Sequence, residues 1–153
     1  MALVHEKLYQ SSNLAHIDTA EYVETLCSSV LRSYDSKSNH IDLRFNLSKI
    51  FLQIDKALPF GLILNELIAN CAKHAFMPGS AGHVWISTHA DTDFFLCISD
   101  NGRGFPKGMD FRMTQSLGLK LVYMLTKQLK GSVEFKSNSG TEVRVQFPLN
   151  EKS

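Results

Sequence analysis

Apolar residues recur along this chain at two spacings, and the alternation between them predicts its elements. Val23, Leu26, Cys27, Val30, Leu31 and Tyr34 stand at i, i+3, i+4, i+7 intervals, the pattern of an amphipathic helix. Asp18 ahead of them, with Glu21 three residues on, has the layout of an acidic capping box. A polar turn over 35–39 leads into Ile41, Leu43 and Phe45, which alternate with Asp42, Arg44 and Asn46 as in a half-buried strand. A second strand is expected over 50–54. Pro59 is expected in the first turn of the next helix, where its missing N–H costs nothing. That helix should run to about residue 75 and stop before Met77-Pro78-Gly79. Strands are predicted over 83–90 and 94–99, joined by Asp91, Thr92 and Asp93, followed by a loop from Asp100 to about Gln115. A helix from about Ser116 to about Leu129 follows, with Gly131 placed to cap its C-terminus. Strands over 133–136 and 142–147 close the pattern around the turn Ser137-Asn138-Ser139-Gly140. Residues 1–10 read as a short helix or the end of a longer one, with Leu3, Val4 and Leu8 on one side, so Met1 is expected to fall within a longer protein. Helices interposed between strand pairs predict an α+β fold, a mixed sheet covered on one face.

Composition changes this picture mainly by exclusion. The 153 residues suffice for one domain with a real core. A formal net charge of +1, with lysines and arginines scattered, speaks against a nucleic-acid surface. No apolar run approaches the roughly 18 residues of a membrane span. The start, Met1-Ala2-Leu3-Val4-His5-Glu6, lacks the layout of a signal peptide. Cys27, Cys71 and Cys97 stand apart within apolar stretches, which predicts buried reduced thiols rather than a zinc site and suits a cytoplasmic setting.

Four segments could carry chemistry. In the helix through Asn65-Glu66-Leu67-Ile68-Ala69-Asn70-Cys71-Ala72-Lys73-His74-Ala75, a 100° step puts Glu66, Asn70, Lys73 and His74 on one stripe. Leu64, Leu67, Ile68, Cys71 and Ala75 fall on another. The polar stripe is either a solvated face or a site, and Glu66 and Asn70 offer the oxygen ligands that Mg²⁺ prefers. Asp100-Asn101-Gly102-Arg103-Gly104 is either a plain turn or a base-binding corner. There the carboxylate would accept a hydrogen bond from an exocyclic amino group such as adenine's, and Gly102 and Gly104 would let backbone approach a flat base. Ser116-Leu117-Gly118-Leu119 at a helix start offers N–H groups and a dipole suited to phosphates, unless it is merely a helix that carries a glycine. Gly140-Thr141, leading into the last strand, says little alone.

Together and in this order, the four segments resemble the nucleotide-binding boxes of the gyrase, chaperone, histidine-kinase and MutL ATPase superfamily. Within it, Ala2-Leu3-Val4-His5-Glu6-Lys7-Leu8-Tyr9, Pro59-Phe60-Gly61-Leu62-Ile63-Leu64-Asn65-Glu66-Leu67 and Ser116-Leu117-Gly118-Leu119-Lys120-Leu121-Val122 are similar to sensor histidine kinases with a variant dimerisation domain. The resemblance implies a Bergerat-type two-layer α/β sandwich, its mostly antiparallel sheet covered on one face by helices. Residues 1–15 would be a remnant of the second dimerisation-hairpin helix with its linker, and 16–150 the ATP-binding catalytic domain. It further implies that Asn70, with Glu66, holds Mg²⁺ against the ATP phosphates. Asp100 would bind the adenine amino group, with Thr141 supporting it. Lys73 and His74 would approach the phosphates or ribose, Gly102, Gly104 and Gly118 would shape the pocket, and Ser116 and Leu117 would open the phosphate-binding helix. Glu66 sits where related ATPases carry a water-activating carboxylate; here it would orient the metal or assist transfer. Residues between Gly104 and Ser116 would form an ATP lid, although the box before Leu119 has one glycine fewer than the fullest versions.

The implied activity is an ATP-dependent histidine kinase whose phosphoacceptor lies upstream of residue 1, since His5 falls on the hairpin's second helix. A response regulator would take the phosphate onward, and the parent would be membrane-anchored or soluble, with this segment in the cytoplasm and off the membrane. The rival readings are an anti-sigma-type serine kinase or chaperone-like ATPase on the same fold, or a domain that binds a partner without catalysis. The hairpin-like residues 2–9 speak against the first pair, and the intact Asn70, Asp100 and glycines against the last.

Overall fold

The computed structural model describes residues 16–34, 40–75, 81–102, 117–137 and 139–149. The helix expected over 1–10, the polar turn over 35–39, the stop at Met77-Pro78-Gly79 and the lid segment lie outside the described residues. Along the described chain run β1 (His16–Asp18), α1 (Thr19–Tyr34), β2 (His40–Leu47), β3 (Phe51–Gln53) and α2 (Ile54–Asn70), which continues as a π turn, Cys71–Ala75. They are followed by β4 (Ala81–Ala90), β5 (Asp93–Asp100), α3 (Leu117–Gln128), β6 (Ser132–Ser137) and β7 (Thr141–Pro148).

Five strands form one sheet in the order β2-β4-β5-β7-β6. Only β2 and β4 run parallel, because the chain between them passes through α2; the remaining neighbours are antiparallel. The α+β expectation with a mixed, mostly antiparallel sheet therefore holds. β1 and β3 make a separate two-stranded antiparallel pair. The second predicted strand is shorter than expected, since Ile54 already belongs to α2.

Period-2 alternation decides which side of the sheet is covered. In β5, Phe94, Leu96 and Ile98 are buried while Phe95, Cys97 and Ser99 between them are partly open. In β7, Val143, Val145 and Phe147 take the buried phase. The helices cover this face, with α2 packed against both α1 and α3. Phe60 of α2 meets Phe94 edge-on with ring centroids 5.0 Å apart, Phe94 stacks on Phe147 at 5.1 Å, and Tyr22 of α1 lies 6.4 Å from Phe60. Burying each phenylalanine stabilises the fold by about 1.5–3 kcal/mol, so this cluster joins two helices to two strands at the centre of the domain.

Asp18 acts as the expected N-cap. Its Oδ1 accepts from the N–H groups of Ala20 at 3.1 Å and Glu21 at 3.5 Å. Thr19 adds an anchor, its N–H and hydroxyl both donating to the Ile50 carbonyl. Two expectations need correction. Pro59 is inside α2, which starts five residues earlier at Ile54. The apolar stripe reaches back through fully buried Ala57, and Lys56 is buried with its ammonium donating to the Pro148 carbonyl at 2.7 Å. These contacts offset the hydrogen bond that proline cannot make.

The other correction concerns the end of α3. Gly131 N–H donates to Thr126 O and Lys130 N–H to Lys127 O, the paired bonds of a Schellman motif. Lys130, at φ 60°, takes the left-handed position that glycine usually fills. Gly131 is one residue further on and is required for space, because a Cβ there would lie 2.0 Å from the Gln146 carbonyl oxygen.

Candidate functional site

Asp100 is the last residue of β5 and falls in the phase of Phe94, Leu96 and Ile98, so its carboxylate lies on the helix-covered side, 8% exposed. A buried carboxylate is costly unless its oxygens are served. Oδ1 accepts from the N–H of Gly102 at 2.9 Å and of Thr141 at 3.3 Å. Oδ2 accepts from the Cys71 thiol at 3.7 Å. Burial raises the Asp100 pKa above the usual aspartate value, while the Gly102, Thr141 and Cys71 hydrogen bonds pull it back. Desolvation wins, so ionising the group costs stability.

Each partner is delivered by a different element. Thr141 begins β7 directly opposite Asp100 and also occupies the inward phase of its strand. Gly140, at φ +134°, lies so close to this corner that a Cβ would stand 2.1 Å from the Asp100 carbonyl oxygen. Asn101 ties the turn to β4: its Oδ1 accepts from His83 N–H at 2.8 Å, and its own N–H donates to the His83 carbonyl. Cys71 opens the π turn at the end of α2, with its thiol inward, and burial pushes that thiol's pKa well up.

Asn70 immediately precedes Cys71 and is partly buried, as is Glu66 one turn earlier on the same side of α2. The expected stripe does not continue unbroken beyond them. A π turn advances each residue through a smaller angle than an α turn, so Lys73 leaves the line of Glu66 and Asn70. Lys73 is exposed, with its ammonium 5.1 Å from the centroid of the Tyr34 ring. Leu117 and Gly118 open α3, which packs against α2; Leu117 is 81% exposed and Gly118 half-buried. The side chain of His74, together with Gly104 and Ser116, lies outside the described residues.

The structure thus brings together Asp100, Gly102, Thr141 and Cys71, the residue that follows Asn70. One participant was missed in the sequence: Cys71 reads there as one more apolar-stripe residue. Gly140 was named there with Thr141, but not the Asp100 carbonyl for which it makes room. Among the described residues no three or more His, Cys, Asp or Glu side chains gather as a metal cage. Mg²⁺ does not need one: it keeps several waters and is commonly held by one or two protein oxygens together with substrate phosphates. Glu66 and Asn70 fit that donor set.

A buried carboxylate at a strand end, a close-approach glycine beside it and an oxygen-bearing helix face make a corner suited to a nucleotide, and comparison with known proteins gives the family. Residues 55–151 match the model of the histidine kinase-, DNA gyrase B- and HSP90-like ATPase family, and the chain belongs to that family. Residues 1–34 match a second model described as a histidine kinase. The chain is 25% identical over 154 residues to blue-light-activated histidine kinase 2 of Erythrobacter litoralis, covering 95% of this chain and 44% of that protein. It is 26% identical over 161 residues to the sensor histidine kinase PdtaS of Mycobacterium tuberculosis, covering 99% of this chain and 31% of that protein. The chain therefore spans less than half the length of these curated relatives. The histidine kinase domain of a blue-light-activated histidine kinase from Erythrobacter litoralis superposes with a TM-score of 0.82 at 21% identity, over 96% of this chain and 70% of that one. The chain thus carries an ATPase domain of that family and is similar over nearly its whole length to histidine kinases.

Proposed function

We propose that this domain binds Mg·ATP at the Asp100 corner and passes the γ-phosphoryl group to a histidine in the dimerisation and phosphoacceptor region of its parent kinase. The observation that carries this reading is the inward Asp100 carboxylate, with Oδ1 tied by Gly102 and Thr141 and Oδ2 turned to the end of α2. Such a carboxylate accepts from the adenine amino group and repels the carbonyl oxygen that guanine carries in its place. Gly102 would let backbone approach the base, and Gly140 lets the start of β7 close on the Asp100 carbonyl. Asn70 and Glu66 would hold Mg²⁺, which when bound neutralises phosphate charge. The N–H groups at the start of α3, from Leu117 and Gly118, are suited to the phosphates. Lys73 would approach them by leaving its exposed contact with Tyr34, which amounts to only about 0.5–1 kcal/mol.

In the transfer, the bond from the γ-phosphorus to the β,γ-bridging oxygen breaks, a bond to an imidazole nitrogen forms, and ADP leaves. Positioning and charge neutralisation carry most of such a reaction, so the residues on α2 and β5 act chiefly by orienting the nucleotide, with Glu66 assisting transfer. The phosphate then goes to an aspartate of a response regulator. The test joins this chain to the parent's upstream hairpin and incubates it with γ-labelled ATP and Mg²⁺, without acid steps. Acid-labile label is expected on a histidine of the hairpin, abolished by Asn70→Ala and reduced by Glu66→Gln with most ATP binding retained. Label on serine, or its persistence in Asn70→Ala, would contradict the proposal.

A further inference from the structure

The two oxygens of Asp100 are served differently. Oδ1 has two backbone donors, Gly102 and Thr141, which belong to β5's own turn and to β7. Oδ2 has a side-chain donor from another layer, the Cys71 thiol at the end of α2. We propose that Cys71 is a positioning residue for nucleobase selection, its S–H holding Oδ2 so that the carboxylate presents a fixed edge to the exocyclic amino group. This inference rests on the reading of Asp100 as the base acceptor and adds what aligns it.

The geometry explains why a second anchor matters. Turning the carboxylate plane about the Cβ–Cγ bond moves both oxygens together, and the backbone donors hold it on the strand side only, at 2.9 and 3.3 Å. A donor on Oδ2 from the helix layer fixes that plane. A carboxylate oxygen has two lone-pair sites, so Oδ2 can accept from the thiol and still accept from an amino group. A thiol suits the position because it is a weak, long donor that leaves most of the oxygen's acceptor strength for the ligand.

The placement of Cys71 is itself built. It is the first residue of the π turn, and its N–H is shared between the carbonyls of Ile68 and Leu67, three and four residues back, so the last regular turn of α2 holds it in place. Its neighbour Asn70 is the proposed metal ligand. Adjacent residues of one helix end would therefore set the base end and the phosphate end of the same nucleotide, which fixes the distance between the two contacts.

The test separates alignment from packing. Dissociation constants are measured with Mg²⁺ for ATP and for purine riboside triphosphate, which lacks the 6-amino group, on the whole 153-residue chain. Wild type is expected to prefer ATP by about tenfold, a charged hydrogen bond's worth, and Asp100→Asn to lose that preference. Cys71→Ala is expected to weaken ATP about fivefold and leave the purine analogue within about twofold. Cys71→Val, which keeps the side-chain bulk without the donor, should match Cys71→Ala, and Cys71→Ser should restore the preference. Equal weakening of both nucleotides, or unchanged ATP binding in both the alanine and valine variants, would overturn the role of Cys71. Absence of any wild-type preference would instead overturn the reading of Asp100 and the inference with it.

Discussion

At the scale of single residues, function and stability pull Asp100 in opposite directions. Its folded pKa is raised, chiefly by burial, so the native state binds this proton more readily than the unfolded chain does. Whatever stability the group adds is therefore greatest on the acid side and falls as pH rises from the unfolded value, about 4, through the raised folded one. Once the group ionises, its charge is a net cost. Asp100→Asn removes that cost while keeping an oxygen for the Gly102 and Thr141 N–H groups. The variant is expected to melt no lower than wild type at pH 7, with the difference closing as the buffer is acidified below the folded pKa. It should also lose most ATP affinity and discriminate less against GTP, because an amide can donate to the guanine carbonyl. Thermal melts across pH with nucleotide titrations check this; a variant that melts well below wild type at pH 7 would contradict the buried-charge reading. Asp100 was legible in the sequence because it follows a predicted strand directly and opens an Asp-Asn-Gly turn with a second glycine close behind. Cys71 was not, since a thiol on an apolar stripe looks the same whether it fills space or donates a hydrogen bond.

At the scale of elements, the strands were read more closely than the helix ends. Alternation in β4, β5 and β7 follows from the two faces of a sheet, one covered and one open, and needs no knowledge of the neighbours. The start of α2 depends instead on tertiary contacts, those of Ala57 in the core and Lys56 with Pro148 O, which outweigh the local stop signal of Pro59. Gly131 and Gly140 show the same limit, because what each makes room for is a strand or turn distant in sequence. They should also separate in experiment. Gly131→Ala drives a methyl into the Gln146 carbonyl and is expected to destabilise the domain by about 1–3 kcal/mol while the folded fraction binds ATP normally. Gly140→Ala sets its methyl against the Asp100 carbonyl at a φ that L-residues rarely adopt. It should cost as much stability and, in addition, about tenfold or more in ATP affinity of the folded protein, because the corner moves with it. Chemical denaturation paired with titration calorimetry distinguishes them; normal ATP affinity in folded Gly140→Ala would detach that corner from the site.

For the whole molecule, the order of the segments was more informative than any one of them. A polar helix stripe, an Asp-Asn-Gly turn, a Ser-Leu-Gly helix start and a Gly-Thr strand start each have an ordinary explanation. The sheet order β2-β4-β5-β7-β6 explains why two of them belong together: β5 and β7 are neighbours, so the Asp100 turn and Gly140-Thr141 meet although they are distant in sequence. α2 lies across the same face and ends beside them, bringing Cys71 to the corner. The π turn that follows could not be foreseen from a 100° step, and it is why Lys73 is found beside Tyr34 rather than in line with Asn70. Among the described residues no helix is long and apolar enough to cross a membrane.

The claim on which everything else depends is that the Asp100 corner receives adenine, and calorimetric titration of the 153-residue chain with Mg·ATP and Mg·GTP tests it most directly. ATP is expected to bind at one site per chain. GTP should bind at least about 100-fold more weakly, since it loses a charged hydrogen bond and sets its carbonyl oxygen against a buried carboxylate. Equal affinity for the two nucleotides, or an Asp100→Ala variant that still binds ATP as wild type does, would contradict the claim.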